Sequence, residues 1–246
     1  MFQACERPEP APGSDPAQGS SRVGAVSMRA VPPVDGQLLQ RWVAVLGSGE
    51  DVVAAGRALL VRYTQEHRRY HDLRHLAEVL QALDLLEPGP PPAPVLAAFW
   101  HDAVYDPRAG DNERASAELA TTTLAALGLP EPLSIEVARL VLLTAGHDPA
   151  PEDAAGAVLC DADLAVLAAA PARYGAYARD VRQEYAHLSD PVFRAGRSAV
   201  LRGLLDRPHL FSTGEGRRRW ERPARDNLHA ELARLSGPCA DAARRP

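Results

Sequence analysis

The sequence predicts an all-α protein, a single helical bundle of about nine helices behind a disordered N-terminal tail. Three features point there. Apolar residues recur at helical spacing from Gln37 onward, and strand-like alternation is hard to find. Proline, glycine and capping acids interrupt the chain at helix-length intervals. A length of 246 residues at 46% apolar composition suffices to bury a sizeable core.

Residues 1–35 are rich in Pro, Gly and Ser and show no period, so too little apolar surface is available to offset their ordering entropy. Met28 lies near the end of this tail and is a candidate start of translation. The bundle is expected over 36–237. Leu38, Leu39, Trp42, Val45 and Leu46 form its first stripe, and Val52, Val53, Leu59, Leu60 and Tyr63 the second. Leu76, Val79, Leu80, Leu83 and Leu86 form a third, ended by the proline-rich run from Glu87 to Pro92. Val95 to Tyr105 reads as an apolar helix halted at Asp106-Pro107. Asp111 then caps a helix reaching about Leu127, closed by Gly128 and Pro130. Further helices are expected near 132–145, 161–170, 171–188, 191–206 and 222–236, before a second disordered tail at 238–246.

A net charge of -5 argues against a surface built for nucleic acid or for an anionic membrane, so neither is expected as a partner. The chain contains no lysine; its 27 basic residues are all arginine, which excludes Schiff-base chemistry and a P-loop lysine. Cys5, Cys160 and Cys239 are isolated and fit a reducing compartment. No apolar run reaches the roughly 18 residues of a membrane helix. A cytoplasmic protein is the expectation.

Chemistry is concentrated in three places. His71 and His75 are four apart, so on a helix both rings would project from one face. His101-Asp102 sits between Val95-Leu96-Ala97-Ala98-Phe99-Trp100 and Ala103-Val104-Tyr105, where burying an imidazole beside a carboxylate is costly unless they pair or bind a cation. Asp161-Ala162-Asp163 follows the apolar Ala157-Val158-Leu159-Cys160. Two histidines and two aspartates from separate helices make a nitrogen and oxygen donor set suited to a divalent metal. Each piece also has a bland reading, Asp161 as a helix N-cap among them.

Together the segments resemble the HD-domain superfamily of metal-dependent phosphohydrolases, in which a histidine, a His-Asp doublet and a distant aspartate form the signature. The likeness is closest to a bacterial predicted-phosphohydrolase branch. It rests on Arg68-Arg69-Tyr70-His71-Asp72-Leu73-Arg74-His75, His101-Asp102-Ala103-Val104-Tyr105, Asp111-Asn112-Glu113-Arg114-Ala115-Ser116-Ala117 and Asp161-Ala162-Asp163-Leu164. Later echoes are Val181-Arg182-Gln183-Glu184-Tyr185, Gly196-Arg197 and Ala224-Arg225-Asp226-Asn227-Leu228, so the likeness extends from Tyr63 to Leu235.

The resemblance implies a divalent ion (Mn, Fe, Co, Ni, Zn or Mg) held by His75, His101, Asp102 and Asp161. It implies a small-molecule phosphoester substrate, such as a nucleotide, cleaved by metal-activated water with His71 as general acid. The reverse assignment of His71 and His75 stays open. Of the two acids after Cys160, Asp161 is taken as ligand and Asp163 as structural, because side chains two apart on a helix diverge by roughly 200°. Glu113 and His147 are candidates for a second metal or for positioning water, and Arg182, Arg197 and Arg225 for binding phosphate. The rival functions are a di-iron oxygenase of the same fold, using Glu113 and His147, and a non-catalytic nucleotide-binding module.

Overall fold

The computed structural model describes residues 34–237, which contain ten α-helices, one 3-10 helix and no strand among the described residues. The helices are α1 (Val34–Leu46), α2 (Glu50–Arg62), α3 (Leu73–Leu86), α4 (Pro92–Trp100), α5 (Asn112–Ala126), α6 (Glu131–Leu143) and α7 (Ala154–Leu164). The 3-10 turn Ala165–Ala168 then leads into α8 (Pro171–Glu184), α9 (Asp190–Leu205) and α10 (Gly214–Ser236). The tail over 238–246, the Met28 start, Cys5 and Cys239 fall outside the described residues, as does the N-terminal tail up to residue 33. No single helix is long and apolar enough to cross a membrane.

Of the helix boundaries that differ from expectation, three have a clear reason in hydrogen bonding. The helix expected to run to Tyr105 ends at Trp100, with His101 as its C-cap. The carbonyls that leave the ladder there find other donors: Tyr63 Oη donates to Phe99 O at 2.9 Å, and the Arg68 guanidinium donates to Asp102 O and Ala103 O at 2.8 and 3.2 Å. The helix expected from 161 starts seven residues earlier, at Ala154, because Asp153 caps it by accepting the Gly156 N–H at 2.9 Å. The last helix starts at Gly214, capped by Thr213 Oγ1 on Gly216 N, and continues through Pro223.

Buried side chains fall into two clusters. Trp42, Leu76, Leu83, Leu96, Phe99, Leu124, Leu140 and Leu159 anchor the first, built by α1 to α7. Tyr174, Tyr177, Phe193, Leu201, Phe211 and Leu228 anchor the second, built by α8 to α10, and Trp220 packs against both. Trp42 is closely fitted. Its ring meets Phe99 and Trp100 edge-on, and its Nε1 donates to Val52 O at 2.8 Å. A Cβ on Gly56 would lie 2.6 Å from Trp42 Cδ1. Gly56→Ala is therefore expected to cost about 1–3 kcal/mol, read as a lower urea midpoint at an unchanged denaturation slope.

Candidate metal centre

The centre lies where α3, the end of α4 and the end of α7 meet. Asp72 caps α3, its carboxylate accepting the N–H groups of Arg74 and His75 at 2.9 and 3.1 Å. That cap puts His75 in the first turn of α3 and leaves His71 in the preceding turn, so the two rings do not share a helix face as the spacing suggested. The His75 ring is buried under Tyr70, with ring centroids 4.5 Å apart. His101, at the C-cap of α4, sets Nδ1 against Ala98 O at 2.8 Å. A carbonyl only accepts, so Nδ1 carries a proton, and Nε2 is the nitrogen turned toward the neighbouring side chains.

Four side chains converge. His75 Nε2 stands 3.1 Å from His101 Nε2, 3.1 Å from Asp163 Oδ1 and 3.4 Å from Asp102 Oδ2. His101 Nε2 stands 3.0 Å from Asp102 Oδ2 and 3.6 Å from Asp163 Oδ1. Around a cation with bonds of about 2.1 Å, neighbouring donors lie about 3.0 Å apart in an octahedron and about 3.4 Å apart in a tetrahedron. Four of the five separations fall in that range, and the fifth, His101 to Asp163 at 3.6 Å, lies just beyond it. The buried His75 and His101 and the partly buried Asp163 form a mutual group able to hold a metal ion, and Asp102 lies outside that group but against both histidines.

Charge balance agrees with a cation site. Burial pushes the carboxyls of Asp102 and Asp163 up, yet the imidazoles around them outweigh it and hold both well below the ordinary range. Burial pushes His75 down, but the hydrogen bonds and charges of Asp102 and Asp163 carry it up to about 10. Without a metal, protons must balance this group; a divalent ion held here would take their place.

Asp161, expected as a ligand, is not among the side chains that converge. Two residues before Asp163 on the same helix, it points away from the histidines and accepts Ser212 N at 2.6 Å, Thr213 N at 2.8 Å and Thr213 Oγ1 at 2.7 Å. It fastens the loop that opens α10, and a Cβ on Gly216 would collide with its carboxylate. Asp163 instead gives Oδ1 to the centre and accepts His147 Nε2 on Oδ2 at 2.7 Å. His147 has a left-handed backbone (φ 49°), uncommon for a side chain of this size, in a turn whose carbonyls are held by Arg207. His147 thus holds the Asp163 carboxylate from the side away from the two histidines.

Among known proteins, no family model, no curated protein and no solved structure matches this chain.

The other expected residues divide. His71 lies beside the centre, its ring 5.8 Å from that of His75 and its Nδ1 2.7 Å from Glu184 Oε2. Glu113 stands in the first turn of α5 and is not among the residues that converge. The three arginines expected at phosphate are spent on structure elsewhere. Arg182 pairs with Asp190 and donates to the carbonyls of Tyr185 and Leu188. Arg197 forms a buried pair with Glu231, and Arg225 binds Glu221 and the carbonyls of Leu205, Arg207 and Pro208.

Residues that sequence reasoning passed over do more at the site. Arg68 is buried and ties the His71 turn to the His-Asp turn by donating to His71 O, Asp102 O and Ala103 O. Glu184 stood in the same short segment as Arg182, but nothing in one sequence separates a carboxylate that reaches 113 positions back to His71 from one that faces water. Asn112, one of only two asparagines, closes the loop before α5 by bonding both backbone groups of Asp106.

Proposed function

We propose that this protein is a metal-dependent phosphohydrolase acting on a small phosphoester, such as a nucleotide. The observation that carries the proposal is the convergence of His75, His101 and Asp163, with Asp102 against both histidines and a further histidine, His71, beside them. A divalent ion held by His75, His101, Asp102 and Asp163 would acidify a bound water and offset charge on a phosphoryl group.

The chain's own residues supply the rest. The two ligand histidines are almost wholly buried, whereas Asp102, Asp163 and His71 keep partial exposure, at 17%, 14% and 21% of their side chains, and mark the side from which substrate enters. Asp102 and Asp163, ionised, neutralise a dication and lower the cost of its burial. His71 is placed to give its Nε2 proton to the leaving oxygen. As water oxygen bonds to phosphorus, the bridging P–O bond breaks, its electron pair stays on the leaving oxygen, and the proton from His71 completes the alcohol. The proton lost by the water passes to solvent, from which His71 is recharged. General-acid assistance of this kind contributes about 10²–10⁴-fold.

Elemental analysis of purified protein, followed by a panel of phosphomonoesters, phosphodiesters and nucleotides with each divalent metal, tests the reading. Expected are one or more equivalents of metal and turnover that stops on chelation and returns on re-addition. His71→Asn should keep the metal and lose about 10²–10⁴-fold in kcat. A protein that takes up no metal, or that is metal-replete and inert across the panel, overturns it.

A further inference from the structure

Glu184 has an unusual number of donors on one buried carboxylate. Its Oε1 accepts the consecutive backbone N–H groups of Arg69, Tyr70 and His71 at 2.8, 2.8 and 3.0 Å. Its Oε2 meets His71 Nδ1 at 2.7 Å and accepts the Tyr105 hydroxyl at 2.8 Å. Tyr105 also stacks on the His71 ring, with centroids 4.2 Å apart. One side chain, at the last residue of α8, therefore fixes both the backbone and the ring of the turn before α3.

The identity of the acceptor fixes the proton. A carboxylate only accepts, so the ring nitrogen facing it must carry hydrogen. Burial pushes the Glu184 carboxyl up, but the charge and hydrogen bond of His71 and the Arg69 and His71 amides outweigh it and hold it at about 2. It is ionised throughout the neutral range. We infer that Glu184 is a positioning residue that locks His71 as the Nδ1–H tautomer, leaving Nε2 as the one ring nitrogen that exchanges a proton with substrate. The tautomer follows from this geometry alone; what the Nε2 proton then does rests on the hydrolase reading above.

Glu184→Gln separates this role from simple scaffolding, because it changes donor and acceptor pattern at nearly constant volume. The amide has one oxygen and one NH₂. With the oxygen kept on the three backbone N–H groups, the NH₂ faces His71 Nδ1, which must then give up its hydrogen, so the proton moves to Nε2. The readout is ¹⁵N NMR of the histidine rings at a pH where His71 is neutral. In the native protein His71 is expected as Nδ1–H and in Glu184→Gln as Nε2–H. Turnover of the phosphoester found by the panel should fall about 10²–10⁴-fold in kcat at unchanged KM and unchanged metal content.

A native His71 in the Nε2–H form overturns the inference without need of any variant, so a Glu184→Gln protein that fails to fold does not shelter it. A variant that keeps Nδ1–H, or switches tautomer at undiminished kcat, also overturns it. If the native tautomer is Nδ1–H and switches as expected while no phosphoester is turned over, the hydrolase reading fails and the assignment of Glu184 stands.

Discussion

Asp163→Ala is expected to lose the bound ion and all metal-dependent turnover, while Asp161→Ala keeps both. The two acids are one residue apart from being neighbours, yet their surroundings differ entirely. Asp163 Oδ1 is 3.1 Å from His75 Nε2 and belongs to the buried donor group. On the proposed reading its removal deletes a ligand, and it also orphans His147, whose Nε2 rests on Asp163 Oδ2. Loss of an outer hydrogen-bond partner alone typically costs 10–100-fold in metal affinity, so loss of a ligand should exceed about 100-fold. Asp161→Ala deletes the acceptor of the Ser212 and Thr213 N–H groups and of the Thr213 hydroxyl, which should cost about 1–3 kcal/mol of stability and leave metal content intact. Elemental analysis and thermal unfolding of both variants read the two effects apart. Stoichiometric metal in Asp163→Ala, or metal-free Asp161→Ala that is fully folded, would contradict the assignment.

The second large effect is expected far from the candidate metal centre. Arg197 Nε donates to Glu231 Oε1 at 2.8 Å and Nη2 to Glu231 Oε2 and to Tyr177 Oη, both at 3.1 Å, while the Tyr174 hydroxyl donates to Glu231 Oε2. Both side chains are nearly inaccessible, at 3% and 6% exposure. Glu231→Ala leaves a guanidinium buried without its carboxylate and should cost about 3–5 kcal/mol. Arg197→Met with Glu231→Leu removes both charges and should cost much less, since a buried pair replaced by apolar side chains is often close to neutral. Urea unfolding of the single and double variants measures the difference.

Acid should expose the same pair. Burial pushes the Glu231 carboxyl up, but the Arg197 hydrogen bond and charge prevail and hold it below its ordinary 4.5. A folded value below the unfolded one means a stability contribution that is complete above about 4.5 and is lost as pH falls through the folded value. Native protein should therefore weaken below about pH 4.5 by a component missing from the double variant. An equal acid response in both would remove Glu231 as its source.

Helical content could be read directly because it is a local property. The period of Leu76, Val79, Leu80 and Leu83 and the stops at Gly128 and Pro130 each act within a few residues, and the helices follow them; α5 begins after Asp111 as expected, though that side chain makes no capping hydrogen bond. Where a cap was ambiguous, the boundary moved. Asp161 had the sequence features of a helix N-cap, but Asp153 took that place and carried Asp161 and Asp163 into the last turn of α7.

The composition of the centre was likewise visible as residue types: histidine, a His-Asp pair in an apolar stretch, then aspartates. Their division of labour was not. Asp161 and Asp163 share a helix, and which of them meets the histidines depends on the Ser212–Thr213 backbone, some fifty residues on, claiming the other. Arg182, Arg197 and Arg225 look alike in the chain and differ only in the carbonyls and carboxylates that packing brings to them. Periodicity and capping are decided by neighbours along the chain, so one sequence suffices for them. The partner of a charged side chain is decided by burial against distant segments, because only there is an unpaired charge expensive, and that pairing exists only once the helices have docked.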